Sequence, residues 1–227
     1  DMTVGRRFAV VVAGGQGTRM NNEVPKQFIE ISGKPVLVYT LESFFRADVD
    51  VVILVMAKNH FERWAIIKKQ WLSKHAIQIV EGGETRFHSV RNGLKWVDGP
   101  GNVAIHDAAR PCVSSHLINA GYEAAAVHKS AVATVALKDS IREKSGGNTL
   151  SRDRSKYYLI QTPQTFDIDL LKKSYETASD VHFTDDASVV ASEGHEVHLI
   201  EGSYQNIKIT TDEDLDLARL FLSKDSA

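Results

Sequence analysis

The chain has 227 residues, 43% of them hydrophobic and 25% charged, enough for one large α/β domain with a real core. A net charge of −2 provides no overall basic field for nucleic acid, so any phosphate binding falls to local cations. The single cysteine, Cys112, excludes an intrachain disulfide and a cysteine-built zinc site. With no apolar leader after Asp1-Met2-Thr3 and no apolar run of spanning length, a cytoplasmic protein is the expectation.

Residues 7–13 (RFAVVVA) are a continuous apolar run rich in β-branched side chains, the pattern of a strand buried on both faces. The run leads into Ala13-Gly14-Gly15-Gln16-Gly17-Thr18-Arg19-Met20 and then Pro25-Lys26-Gln27. Closely spaced glycines let backbone N–H groups approach an anion, and Arg19 and Lys26 add cations suited to a polyphosphate. No Gly-Lys-Ser/Thr follows, so the loop is not a Walker A motif. Met20 stands where a dinucleotide fingerprint has its third glycine, which argues against an oxidoreductase.

Further buried strands are expected at residues 51–56, 77–80, 103–105 and 132–137, with helical patterns between them. Gly82-Gly83-Glu84-Thr85-Arg86 closes the third strand and opens a helix on which Phe87, Val90, Leu94 and Val97 form one apolar stripe. Backbone amides and Ser89 at this helix start suit a base or a phosphate. Glu84 also reads as a plain first-turn acid favoured by the helix dipole. The fourth strand ends in Ile105-His106-Asp107-Ala108-Ala109-Arg110-Pro111. Asp107 there suits Mg²⁺ on a triphosphate or a substrate hydroxyl, or a pairing with Arg110 that fastens the loop. His106 reads as structural and Cys112 as a small buried side chain. The alternation of strand and helix implies a mainly parallel sheet flanked by helices, with ligands at the carboxyl ends of the strands.

Residues 138–156 break the pattern, being polar, with Gly146-Gly147 and weak two-residue alternation; a protruding hairpin and a surface loop both fit. Thr184-Asp185-Asp186-Ala187-Ser188 reads as a helix start with Thr184 as N-cap, Asp185 and Asp186 structural, and Gly194 at the far end. Asn206-Ile207-Lys208-Ile209-Thr210 reads as a short strand presenting Lys208, before a helix opened by a Thr210/Glu213 capping box. Neither a linker nor an internal repeat interrupts residues 1–227, so a single domain with an arm at about 138–156 is expected.

Taken in order, these segments, with Thr162-Pro163-Gln164, resemble the 2-C-methyl-D-erythritol 4-phosphate cytidylyltransferases from about Phe8 to Leu222. The resemblance implies a three-layer, mostly parallel twisted sheet of the nucleotide-diphospho-sugar transferase kind. It also implies a homodimer with exchanged hairpin arms, CTP and a polyol phosphate as substrates, and Mg²⁺ or another divalent cation. By the same resemblance, Arg19 and Lys26 stabilise charge at the α-phosphorus, while Arg154 and Lys208 position the acceptor phosphate. Ala13, Gly14, Gly15, Glu84, Ser89 and Ala108 match nucleotide-side positions. Asp107, Ser140 and Thr184 match substrate-side ones, with Ser140 and Arg154 reaching the partner's site, and Arg110 is a further substrate-binding candidate. The chain departs from the usual family residues at Gly14, Glu84 and Ser140. The ribitol-5-phosphate cytidylyltransferases share the glycine loop and are the alternative. A nucleotide-binding module without turnover is the alternative of another class, disfavoured by Arg19, Lys26, Asp107 and Lys208.

Overall fold

The computed structural model describes residues 5–13 and 24–224. The first apolar run forms strand β1 (Arg6–Val12). A short hairpin of β2 (Glu30–Ile31) and β3 (Lys34–Pro35) leads into helix α1 (Val36–Phe45). Next come β4 (Val51–Met56), α2 (Phe61–Trp71), β5 (Ile77–Glu81), α3 (Arg86–Leu94) and β6 (Gly101–Asp107). They are followed by α4 (Ser115–His128), β7 (Ser130–Ala136), and the arm strands β8 (Ile141–Ser145) and β9 (Asn148–Arg152). The chain then runs through β10 (Tyr158–Asp167), α5 (Ile168–Thr177), α6 (Asp186–Ser192), β11 (Leu199–Glu201) and α7 (Asp212–Lys224).

Seven strands form one sheet in the order β11-β7-β10-β6-β1-β4-β5. Pairings β1–β4, β1–β6, β4–β5 and β7–β11 are parallel, whereas β10 runs antiparallel to both β6 and β7. Because side chains alternate along a strand, successive residues feed opposite layers. Ala9, Val11, Leu54 and Met56 pack with Leu37, Leu41, Trp64 and Tyr122 of α1, α2 and α4. Phe8, Val10, Ile53 and Val55 pack with Phe87, Val90, Leu171 and Val190 of α3, α5 and α6. The three-layer expectation therefore holds, with one inserted antiparallel strand. No helix among the described residues is long and apolar enough to cross a membrane.

Three local readings need correction. The N-cap of α6 is Asp185, whose carboxylate accepts the Ser188 N–H at 3.1 Å; Thr184 lies one residue outside. Residues 206–210 join no strand ladder, and one of their backbone links to the fold is Ile209 N–H donating to Ala109 O at 2.9 Å. The cap of α7 uses Asp214 rather than Glu213: its carboxylate accepts the N–H groups of Thr210 and Thr211 and the Thr210 hydroxyl. One residue of offset suffices, because a side chain caps only from the turn that faces the free N–H groups.

Residues 138–156 do contain a hairpin. β8 and β9 pair from Ile141↔Arg152 to Ser145↔Asn148, and Gly146 turns the chain at φ 58°, where a side chain would be strained.

Candidate active site

The carboxyl ends of β1 and β6 lie side by side, with Val12 in register with Asp107, and a cleft opens there. Ala13 N–H donates to Val55 O at 2.7 Å, and Ala13 O accepts from the buried Gln27 side chain at 3.2 Å. Gln27 belongs to a 3-10 turn over Lys26–Phe28, so this bond places the turn against the end of β1. Lys26, Ala13, Ala108, Arg86, Asp107 and Lys208 line a narrow pocket of about 50 Å³. Arg86, Asp107 and Lys208 also line a wider cleft of about 400 Å³, together with Arg110, Thr162, Thr184 and Asp185.

Asp107 is the electrostatic centre of this floor. Its Oδ1 faces Arg86 Nε at 3.4 Å, and its Oδ2 faces Arg110 Nε at 3.4 Å and Lys208 Nζ at 3.3 Å. Burial alone raises its pKa, but Arg86, Lys208 and Arg110 outweigh that and hold it well below the usual carboxylate range. Both the loop-fastening pair with Arg110 and a cleft-facing carboxylate are thus present. Lys208 reaches the cleft from an extended segment rather than a strand, and that segment is held by Arg110, whose Nη1 donates to Asn206 O at 2.8 Å.

His106 fixes the same turn from beneath. Its Nε2 lies 3.2 Å from Arg110 O, a carbonyl that can only accept, so Nε2 carries the proton. Thr162 Oγ1 accepts the Asp107 N–H at 3.0 Å and directs its own hydrogen to His106 Nδ1 at 3.0 Å. Burial pushes the His106 pKa down to about 4 despite Asp107, so the ring is neutral at physiological pH. The structural reading of His106 is correct, and its work is to hold the backbone of Asp107.

Between β5 and α3, Gly82 N–H donates to Met56 O at 2.9 Å and Gly83 N–H to the buried Ser89 hydroxyl at 3.1 Å. A Cβ on Gly83 would sit 2.3 Å from His88 Cβ, so a side chain there would force the loop off α3. Glu84 is exposed and precedes Thr85, which caps α3 by accepting the His88 N–H, so Glu84 is not a first-turn acid and lines neither pocket. Val97 is buried in the apolar stripe but lies beyond the end of α3. Ser140 and Arg154 are exposed on the arm, where Arg154 donates to Lys138 O; neither lines the two pockets within this chain. Gly14, Gly15 and Arg19 lie outside the described residues.

Two participants were not singled out from the residues alone. Arg86 lines both pockets, and Asp186, read as structural, is its buried partner at 2.9 Å. The signal for Arg86 was its place in the first turn of the helix that follows the glycine pair. Among the described residues no three His, Cys, Asp or Glu side chains are placed to hold a metal ion. What the floor does offer is cations, Lys26, Arg86, Arg110 and Lys208 against the carboxylates of Asp107 and Asp185, with Asp186 buried behind Arg86. A net positive floor suits a polyphosphate and stabilises charge developing on a phosphoryl group.

Comparison with known proteins follows the same line. Residues 8–224 match the family described as 2-C-methyl-D-erythritol 4-phosphate cytidylyltransferase. A protein of that name from Bacteroides fragilis is 46% identical over 223 residues, covering 95% of this chain and 99% of the relative. One from Clostridium novyi is 40% identical over 224 residues, covering 96% of each. The crystal structure of 4-diphosphocytidyl-2C-methyl-D-erythritol synthase from Anaerococcus prevotii superposes with a TM-score of 0.84 at 31% identity, covering 96% of both chains.

Proposed function

The chain belongs to the 2-C-methyl-D-erythritol 4-phosphate cytidylyltransferase family, and from that membership we propose how its cleft works. It is a nucleotidyltransferase that moves CMP from CTP to 2-C-methyl-D-erythritol 4-phosphate, a step of the non-mevalonate isoprenoid route. The observation that carries the mechanism is the cluster of Lys26, Arg86, Arg110 and Lys208 around Asp107 at the ends of β1 and β6.

A phosphate monoester has its second pKa near ~6, so at neutral pH the acceptor is already largely an anionic nucleophile and needs no side-chain base. An acceptor phosphate oxygen attacks the α-phosphorus in line. A new P–O bond forms, the bond to the bridging α–β oxygen breaks, and pyrophosphate leaves with that electron pair. Lys26, with Arg19, meets the negative charge that builds at the α-phosphorus. Lys208, held by Asp107, orients the incoming phosphate. The family resemblance assigns Ala13, Gly14, Gly15, Glu84, Ser89 and Ala108 to the nucleotide, and of these Ala13 and Ala108 line the narrow pocket. Asp107, Arg110 and Thr184 bound the acceptor side.

A divalent cation fits this floor as one carried in on the CTP phosphates. Asp107 already meets three cations and offers one ligand at most, in keeping with the few carboxylates and several waters that Mg²⁺ favours. When bound, Mg²⁺ neutralises triphosphate charge. Ser140 and Arg154 complete the site from the arm of a second copy, so the enzyme works as a homodimer. Support comes from the exposed run Tyr157, Tyr158, Leu159 and Ile160 at the arm's base and from Leu150 on the arm itself, apolar surface suited to burial against a partner. We place the protein in the cytoplasm, as one folded domain with that arm.

The test supplies CTP and Mg²⁺ with 2-C-methyl-D-erythritol 4-phosphate or with ribitol 5-phosphate and measures pyrophosphate. Release is expected far faster with the erythritol compound; preference for ribitol 5-phosphate would reassign the substrate.

A further inference from the structure

Arg86 opens α3 and Asp186 opens α6, one hundred positions apart in sequence. Arg86 Nη1 and Nη2 donate to the two oxygens of Asp186 at 3.1 and 2.9 Å, and Arg86 Nε faces Asp107 Oδ1 at 3.4 Å. One planar fork thus spans two carboxylates, a geometry that a lysine ammonium cannot reproduce. Asp186 is fully buried and turned inward. Its Oδ1 also accepts the Tyr175 hydroxyl at 2.6 Å, and its N–H donates to Gln164 Oε1 at 3.0 Å. Asp186 does not line the cleft, whereas Arg86 lines both of its parts.

Stability alone is a weak reason to bury such a pair, because apolar side chains of similar volume do as well or better. What the pair supplies is direction. With Arg86 on Oδ1 and Arg110 and Lys208 on Oδ2, the Asp107 carboxylate is gripped from both sides. The same fork anchors the first turn of α6, which brings Asp185 and Ser188 to the cleft wall beside Thr184. A shift of Arg86 would therefore move the counter-ion of Lys208 and the acceptor wall together.

We propose that Arg86 is a positioning residue for nucleotidyl transfer: seated on Asp186, its fork aims Asp107 and Lys208 and sets the α6 wall against the acceptor. This assignment rests on the cytidylyltransferase reading. It differs from a nucleotide contact, which would act on CTP affinity, and from a purely structural tie, which would act on stability alone.

The experiment compares the full-length wild type, Arg86→Lys, and the triple variant Arg86→Met/Asp186→Leu/Tyr175→Phe. Each is followed by thermal melting and by pyrophosphate release with both substrates varied. The triple variant removes the buried pair together with the Tyr175 hydroxyl bonded to it, so its Tm should stay within roughly 4 °C of wild type. Its kcat should fall about tenfold or more and its acceptor KM should rise, because a misplacement of about 1 Å is costly in rate. The KM for CTP should move less than about threefold. Arg86→Lys restores the charge without the fork and should show the same split, not a rescue. If the triple variant does not fold, Arg86→Lys decides on the same criteria. Wild-type kcat and both KM values in a folded variant would overturn the assignment, as would a CTP KM that rises as much as the acceptor KM. A wild-type protein that releases no pyrophosphate would overturn the cytidylyltransferase reading itself, and the assignment with it.

Discussion

Asp107 and Arg154 sit at opposite extremes of environment. Around Asp107, Arg86, Arg110 and Lys208 converge from α3, the turn after β6 and the segment before α7, and Thr162 of β10 holds the backbone beneath. Around Arg154, the partners are local and exposed: Lys138 O for Arg154 itself, Thr149 for Arg142, Glu143 for Arg152. The floor is pre-organised by long-range contacts of its own chain. The arm has no core, and an isolated two-stranded hairpin is marginal in water. Charge at a developing phosphorane needs fixed, desolvated donors, which only the first region supplies. The second needs another surface to become equally fixed.

The largest effect should come from breaking the floor. Asp186→Ala leaves Arg86 buried with half its partners and should destabilise the fold by about 3 kcal/mol, measured by denaturant unfolding. A loss under about 1 kcal/mol would mean that water already compensates Arg86, and the contrast with the arm would shrink.

A pH series sharpens the same contrast. His106 is neutral when folded down to about pH 4, whereas its ordinary value is 6.5. Between those values the unfolded chain binds a proton that the folded chain refuses. The contribution is therefore complete above pH 6.5 and lost as pH falls toward 4, by up to about 3 kcal/mol. His106→Gln should flatten stability across that window relative to wild type. Identical pH profiles for the two proteins would remove His106 as the source.

On the arm the expectation is the reverse. Arg152 and Glu143 pair in solvent, so Arg152→Ala should change unfolding by less than about 1 kcal/mol. A loss comparable to that of Asp186→Ala would show that the arm is pre-organised after all.

How far the residues foretold this difference depended on distance along the chain. Apolar, β-branched runs revealed β1, β4, β5, β6 and β7, because a strand buried on both faces writes its signal in consecutive residues. β10 wrote no such signal. Gln161, Thr162, Gln164 and Thr165 are polar yet buried, Pro163 sits among them, and Thr162 answers to His106, 56 positions away. Arg86 was obscured for the same reason, since its partner Asp186 lies one hundred positions on. The glycine turn of the arm was legible, whereas residues 206–210 look like a strand only until no neighbouring strand is found for them. Asp107 and Lys208 were legible as chemistry, but their pairing appears only when β6 and the segment before α7 are brought together.

The proposed two-chain active site, in which the floor of one copy meets the arm of the other, is open to a direct complementation test. Lys26→Ala and Arg154→Ala proteins, each nearly inactive alone, are to be co-refolded in equal amounts and assayed for pyrophosphate release. Random two-fold pairing makes about half the dimers mixed, and each mixed dimer then has one intact and one doubly defective site. Activity should return to about a quarter of wild type. If verified mixed dimers show no recovery, Lys26 and Arg154 do not act in one site across two chains, and the arm is an ordinary surface hairpin.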